Sequence, residues 1–233
     1  MRVLKRGEVM PRLDGPAGVR LTIDPRLRAR FPGLDARLVE LRELTVRERD
    51  SQLDRFAGTL LAEFREHLDL ANLKDEPTLR AYRDFYWEIG IDPTKLRPAA
   101  EALLRRVLQG KELPRINTLV DAYNLASMKT RISIAAFDLG RLRGDLKMRS
   151  ARPRETFLGI GMAEPVLLKG HEVVVEDADS LVAIYPYRDA EATKITTAVR
   201  DSVFMTCGVP GIPERMLLEA EKTTREIIER FCR

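Results

Sequence analysis

The chain has 233 residues, 44% of them apolar and 33% charged, which is enough to bury a core and too apolar for a disordered chain. Forty basic against thirty-six acidic residues leave a net charge of +4, an excess too mild to demand a polyanionic partner. Two cysteines (Cys207, Cys232) and two histidines (His67, His171) form no C-x-x-C pair or cluster, which excludes a thiolate or histidine-rich metal centre. The reading is a reducing, cytoplasmic setting with no metal and no cofactor.

Met1 to Met10 is charged and not followed by an apolar run, so no signal peptide is expected. No stretch approaches the roughly 18 consecutive apolar residues that a membrane helix needs. Residues 1–40 carry Pro11, Gly15, Pro16, Gly18, Pro25, Pro32 and Gly33 and predict turns around one short strand at Val19 to Ile23. Leu53, Phe56, Ala57, Leu60, Leu61, Phe64 and Leu68 then recur at three- and four-residue steps and predict a long amphipathic helix. A shorter helix is expected near Glu76 to Trp87. Pro98 opens another, with Leu103, Leu104, Val107 and Leu108 inward, and Gly110 ends it. Ile116, Leu119, Val120 and Tyr123 mark one more helix after Pro114.

From about residue 131 the period shortens. Ile132 to Phe137, Leu146 to Arg149, Glu172 to Glu176, Leu181 to Tyr185 and Ser202 to Thr206 predict strands. A closing helix behind Pro213 carries Met216, Leu217, Ala220, Ile227, Ile228 and Phe231 on one side. Helices, then mostly antiparallel strands, then a helix predict an α+β fold.

Three constellations carry polar chemistry. Asn117, Asp121 and Asn124 fall at i, i+4 and i+7 of a helix and form a polar stripe. They either contact a substrate or cap the helix and tie down a neighbouring loop. Between Asp138 and Arg154 six basic residues (Arg141, Arg143, Lys147, Arg149, Arg152, Arg154) meet two acidic ones, which makes either a phosphate-binding cluster or a solvated surface. After Tyr185-Pro-Tyr, Arg188, Asp189, Glu191, Thr193, Lys194 and Thr196 fall within nine residues, which makes either a binding loop or a polar hairpin with internal ion pairs. The set Tyr82, Phe85, Tyr86 and Trp87 either stacks on a base or packs in a core, the core being favoured. His171 reads as a surface-turn residue and Cys207 as a small buried hydrophobe.

The order Gly90-Ile-Asp-Pro93, Arg97-Pro98, Leu103-Leu-Arg-Arg106, Gly110, Leu113-Pro114, Ile116-Asn117, Val120-Asp121, Asn124, Asp138, Gly144-Asp145, Arg188-Asp189, Glu191 and Thr193-Lys-Ile-Thr196 resembles the editing domain of the phenylalanyl-tRNA synthetase beta subunit, here as a stand-alone relative. The resemblance covers Tyr82 to Gly208. It divides the chain into residues 1–80, a strand and helical segment packed on the same core, and residues 81–233, the editing-like domain. It implies binding of the acylated end of tRNA and hydrolysis of a mischarged aminoacyl ester without a metal. It places the pocket between the strand-rich half and the polar loop. One departure is visible: the resemblance expects a histidine three residues before Asp138, where this chain has Ala135.

An aminoacyl ester is already activated, so the site needs only a positioned water and donors for the oxyanion. Thr193, Thr196 and Thr197 are candidates to orient water or ester. Lys194 or Arg188 can stabilise the oxyanion or hold the terminal phosphate. Glu191 or Asp189 can bind the α-amino group or act as a base. A silent tRNA-binding module, and a hydrolase or binder of amino-acid-like small molecules, are the alternatives.

Overall fold

The computed structural model describes residues 18–233. The expectations for Met1 to Met10 and for the turns at Pro11, Gly15 and Pro16 lie outside the described residues.

Ten strands and six helices, with two short 3-10 turns, follow one another among the described residues. The chain begins β1 (Leu21–Ile23), α1 (Pro25–Arg30), β2 (Asp35–Leu41), α2 (Ser51–His67), α3 (Pro77–Glu88), α4 (Ala99–Leu108) and α5 (Thr118–Thr130). It continues β3 (Ser133–Asp138), β4 (Leu146–Ser150), β5 (Thr156–Phe157), β6 (Val166–Leu167), β7 (Val173–Glu176), β8 (Leu181–Tyr185), β9 (Arg188–Asp189), β10 (Ser202–Gly208) and α6 (Glu214–Phe231). The fold is α+β, as the patterning predicts.

The helices start where side chains satisfy their free N–H groups. Asp50 accepts from Gln52 N–H at 2.8 Å and Leu53 N–H at 3.0 Å, and Glu76 accepts from Leu79 N–H at 2.9 Å. Pro25 and Pro77 sit in first turns, where no donor is lost.

A three-stranded antiparallel sheet, β2-β10-β3, forms the middle layer. Side chains alternate across it, and each face meets a different core. Val39, Leu41, Ile134, Ala136 and Phe204 face α2, α4, α5 and α6, while Ala135, Phe137, Val203, Met205 and Cys207 face the other way. That second face packs on a five-stranded sheet, β1-β4-β7-β8-β9, through Leu146, Met148, Val173, Val175 and Tyr185, with α1 and α3 contributing Leu27, Tyr82, Phe85 and Tyr86. Only β1 and β4 pair in parallel; the other pairs of that sheet are antiparallel. Behind it a small hairpin, β5-β6, covers Val174 and Ile184.

Five elements lie outside the sequence expectation: α1, β2, β5, β6 and β9. The strand β2 carries charges at Arg37 and Glu40, and both its faces are covered, so no clean alternation marks it. Arg37 reaches Glu221 of α6 at 2.9 Å. The helix α5 also starts later than Ile116, which is 59% exposed and precedes the cap.

Tyr82, Phe85 and Tyr86 are fully buried, and Trp87 is exposed. The Tyr82 hydroxyl donates to the Cys207 carbonyl and accepts from Ser133 N–H at 3.0 Å. The Tyr185 hydroxyl shares its one proton between the Gly208 carbonyl at 2.7 Å and the Asp35 carbonyl at 2.9 Å. This aromatic set is core. His171 lies half-buried in the turn before β7, against Gly90, and Cys207 is buried, as its neighbours in the sequence suggest.

Candidate functional site

A cavity of about 160 Å³ opens where α5, β3, β8, β9 and β10 converge. Tyr123 and Asn124 of α5 line it together with Tyr187, Arg188 and Asp189. Ser133, Ile134 and Ala135 of β3, with Met205 and Cys207 of β10, make the floor.

Asp189 is its central titratable group. β3 is an edge strand, so its outward N–H groups need partners from elsewhere. The Asp189 carboxylate accepts from the Ala136 N–H at 3.1 Å. The residue is half-buried, but its carboxyl group is enclosed, and burial pushes its pKa up to about 7. The Ala136 N–H and the Arg188 charge oppose that rise without cancelling it. Burial also raises the Tyr123 phenol, with the Asp189 charge adding to the effect, and raises the Cys207 thiol, which stays protonated and non-nucleophilic.

Two polar atoms of the lining have no partner among the described residues: Ser133 Oγ and Arg188 Nε. Unpaired buried donors are costly. Arg188 is otherwise held: it donates to the Ile160 carbonyl at 2.6 Å and lies over the Tyr187 ring at 4.9 Å. Gly159 makes that pose possible, because a Cβ there would lie 2.5 Å from Arg188 Cδ.

The structure thus brings Asn124, Arg188 and Asp189 to one cavity and disperses the other expected residues. Asn117 caps α5, accepting from Leu119 N–H at 3.1 Å and Val120 N–H at 3.0 Å. Asp121 accepts from Arg115 at 2.8 Å and from Ile116 N–H at 3.1 Å, which ties down the loop before α5. Asp138 ends β3, accepts from Gly140 N–H at 2.9 Å and pairs with Arg141 at 3.4 Å. The turn after Asp189 is outside the cavity lining. Glu191 and Lys194 pair with each other, Thr193 is buried with its hydroxyl unpartnered, and Thr196 accepts from Ala198 N–H at 3.3 Å. Thr197 is exposed beside it.

Topology sets acidic residues beside the basic run. Lys147, Arg149, Arg152 and Arg154 line a groove that also holds Asp145, Glu155, Glu176, Asp177 and Asp179. Arg149 is buried between Glu155 at 2.6 Å and Glu176 at 2.5 Å, so it is not free to meet a phosphate. Arg152 pairs with Glu155 at 3.7 Å and Arg143 with Asp179 at 4.0 Å, and Arg141 donates to the Ala192 carbonyl at 3.3 Å. Lys147 and Arg154 are exposed. The acids of β7 and its following turn lie far along the chain, and pairing of β4 with β7 brings them alongside.

Tyr123 and Ser133 also line the cavity, and neither stands out in the sequence as a site residue. Ser133 opens an apolar strand and gives no local signal; Tyr123 was assigned to the buried stripe of α5. Ala135, the position where the resemblance expects a histidine, lies in the floor.

The fold is an α+β sandwich with four helices on one outer face and a cavity lined by the polar hairpin and a helix. The chain belongs to the B3/4 domain family, which matches residues 81–228, more than half of its length. Its structure is similar to an N-terminal fragment of the phenylalanyl-tRNA synthetase beta-subunit from Pyrococcus horikoshii, at 12% identity and a TM-score of 0.48. That similarity covers 91% of this chain and 50% of the fragment, so the chain spans about half the fragment's length. A comparison with curated proteins finds no match. Among the described residues no helix is long and apolar enough to cross a membrane.

Proposed function

We propose that this domain binds the acylated end of tRNA and hydrolyses the ester of a mischarged aminoacyl-tRNA in trans. The observation that carries the reading is the Asp189 carboxyl group, enclosed in a cavity beside unpartnered Ser133 Oγ and Arg188 Nε and held at a pKa of about 7. A base works best with a pKa near the working pH. The motif order from Tyr82 to Gly208 and membership of the B3/4 family support the choice of substrate.

In this reading the Asp189 carboxylate accepts a proton from water as the water oxygen adds to the ester carbonyl. As the substrate seats, the Ser133 hydroxyl and the Arg188 Nε–H turn from their buried positions to donate to the oxyanion, and Asn124 orients the aminoacyl group. The intermediate collapses by breaking the bond to the ribose oxygen, which receives the proton from Asp189. The products are a free amino acid and a tRNA with a free hydroxyl. The 191–196 turn, with its Glu191–Lys194 pair, closes the hairpin outside the cavity lining.

The acids that share the groove with Lys147, Arg152 and Arg154 favour one second reading, a pocket for an amino-acid-like ester taken without RNA. A panel of mischarged tRNAs incubated with purified protein decides between them. The proposal expects hydrolysis of one class of ester, falling about 100-fold or more in Asp189→Asn, and tRNA affinity that drops steeply with salt. Binding without turnover would leave a silent module, and affinity for small esters with no salt-dependent tRNA binding would favour the second reading.

A further inference from the structure

A second cavity, of about 310 Å³, lies on the helical side of the molecule. Leu53, Ala57 and Leu61 of α2, Leu103 of α4, Leu125 of α5 and Leu113 of the intervening loop form an apolar wall. A volume of about 310 Å³ falls at the low end of the range of small-molecule pockets. Predominantly apolar pockets with a few placed polar groups are the usual form of small-molecule sites.

The charges at its rim are uneven. Asp121 and Arg115 satisfy each other at 2.8 Å, and Arg115 also meets Asp54. That leaves Arg65, Lys111 and Glu112 at the rim. Neither Arg65 nor Lys111 has a carboxylate partner among the described residues, and Arg65 is held in place by donating to the Val107 carbonyl at 3.3 Å. Two cations against one acid, above an aliphatic wall, call for an anion with an apolar tail.

We propose that this cavity binds an aliphatic monocarboxylate, with its chain between α2, α4 and α5 and its carboxylate toward Arg65 and Lys111. Asn124 belongs to the walls of both cavities, so an occupant here shares a side chain with the site at Asp189. The proposal does not depend on that site's substrate.

Calorimetric titration with octanoate, octylamine and octan-1-ol tests it without any tRNA. The expected result is octanoate bound at least tenfold more tightly than either analogue. Lys111→Glu, an exposed substitution that leaves the fold intact, weakens octanoate at least tenfold, and Ala57→Phe, which fills the cavity, abolishes binding. Equal affinity for the three ligands, no octanoate binding, or an unchanged affinity in Lys111→Glu overturns the proposal. Should Ala57→Phe fail to fold, the Lys111→Glu and analogue arms still decide.

Discussion

Asp189 reaches across from the polar hairpin and accepts a hydrogen bond from the backbone N–H of Ala136 at 3.1 Å. One carboxylate thereby ties β9 to the open edge of β3 and remains in the cavity wall. The same contact that secures the hairpin positions the group with the chemistry.

That arrangement gives stability a pH dependence. The folded pKa of Asp189, about 7, stands above the ordinary carboxylate value, so folding takes up a proton between the two. The associated stability is present below about pH 4 and is lost as pH rises through 7, at up to about 1.4 kcal/mol per pH unit. Asp189→Asn removes this loss and keeps an acceptor for Ala136. Urea melts are expected to show the variant close to wild type at pH 4 and more stable by about 1–3 kcal/mol at pH 8. Parallel pH profiles for the two proteins would contradict the placement.

Ala135 leaves room in the floor of the cavity. Ala135→Leu is expected to fill that room, lower turnover or ligand affinity at least tenfold, and cost only about 1–3 kcal/mol in stability. Paired activity and denaturation measurements separate the two effects.

Gly159 is the seat of Arg188, with a Cβ there 2.8 Å from Arg188 Cγ and 2.9 Å from Phe157 Cε1. Gly159→Ala is expected to push the guanidinium out of its contact with Ile160, weaken ligand binding about tenfold and destabilise by about 1–2 kcal/mol. Ligand titration alongside thermal melts checks both numbers.

Arg149 serves the fold. Its guanidinium holds Glu155 and Glu176 below the usual carboxylate range, so their contribution is present at neutral pH and is lost as pH falls through those lowered values. Arg149→Ala is expected to cost about 3 kcal/mol by removing the buried partner of both carboxylates, of which Glu155 keeps only Arg152 at 3.7 Å. Arg154→Ala, at an exposed site, stays within about 0.5 kcal/mol of wild type. Equal costs in urea melts would contradict this division of roles.

Much of the architecture was legible because the buried strands are apolar runs and the helices carry clear stripes. β3 and β10 read as strands from Ile132 to Phe137 and Ser202 to Thr206, and α2 and α6 from their three- and four-residue spacing. The two-residue strands β5, β6 and β9 are too short to show a period, and the charges of β2 hide a strand covered on both faces.

The site was legible in part. Density of polar residues marked the hairpin, yet only the fold decides that Asp189 points into the cavity while Glu191 turns to Lys194. The apparent stripe of Asn117, Asp121 and Asn124 splits into a cap, an ion-paired residue and one residue of the cavity at Asp189. Charge counted along the basic run missed the acids that β7 lays beside it.

The most direct measurement is a backbone amide NMR titration with a non-hydrolysable 3′-aminoacylamino adenosine, a mimic of the acylated tRNA end. The account predicts that the largest shifts cluster at Asn124, Ser133, Ala136, Arg188 and Asp189, and that they vanish in Ala135→Leu. Shifts confined to the groove around Lys147 and Arg152, or none at saturating ligand, would contradict it.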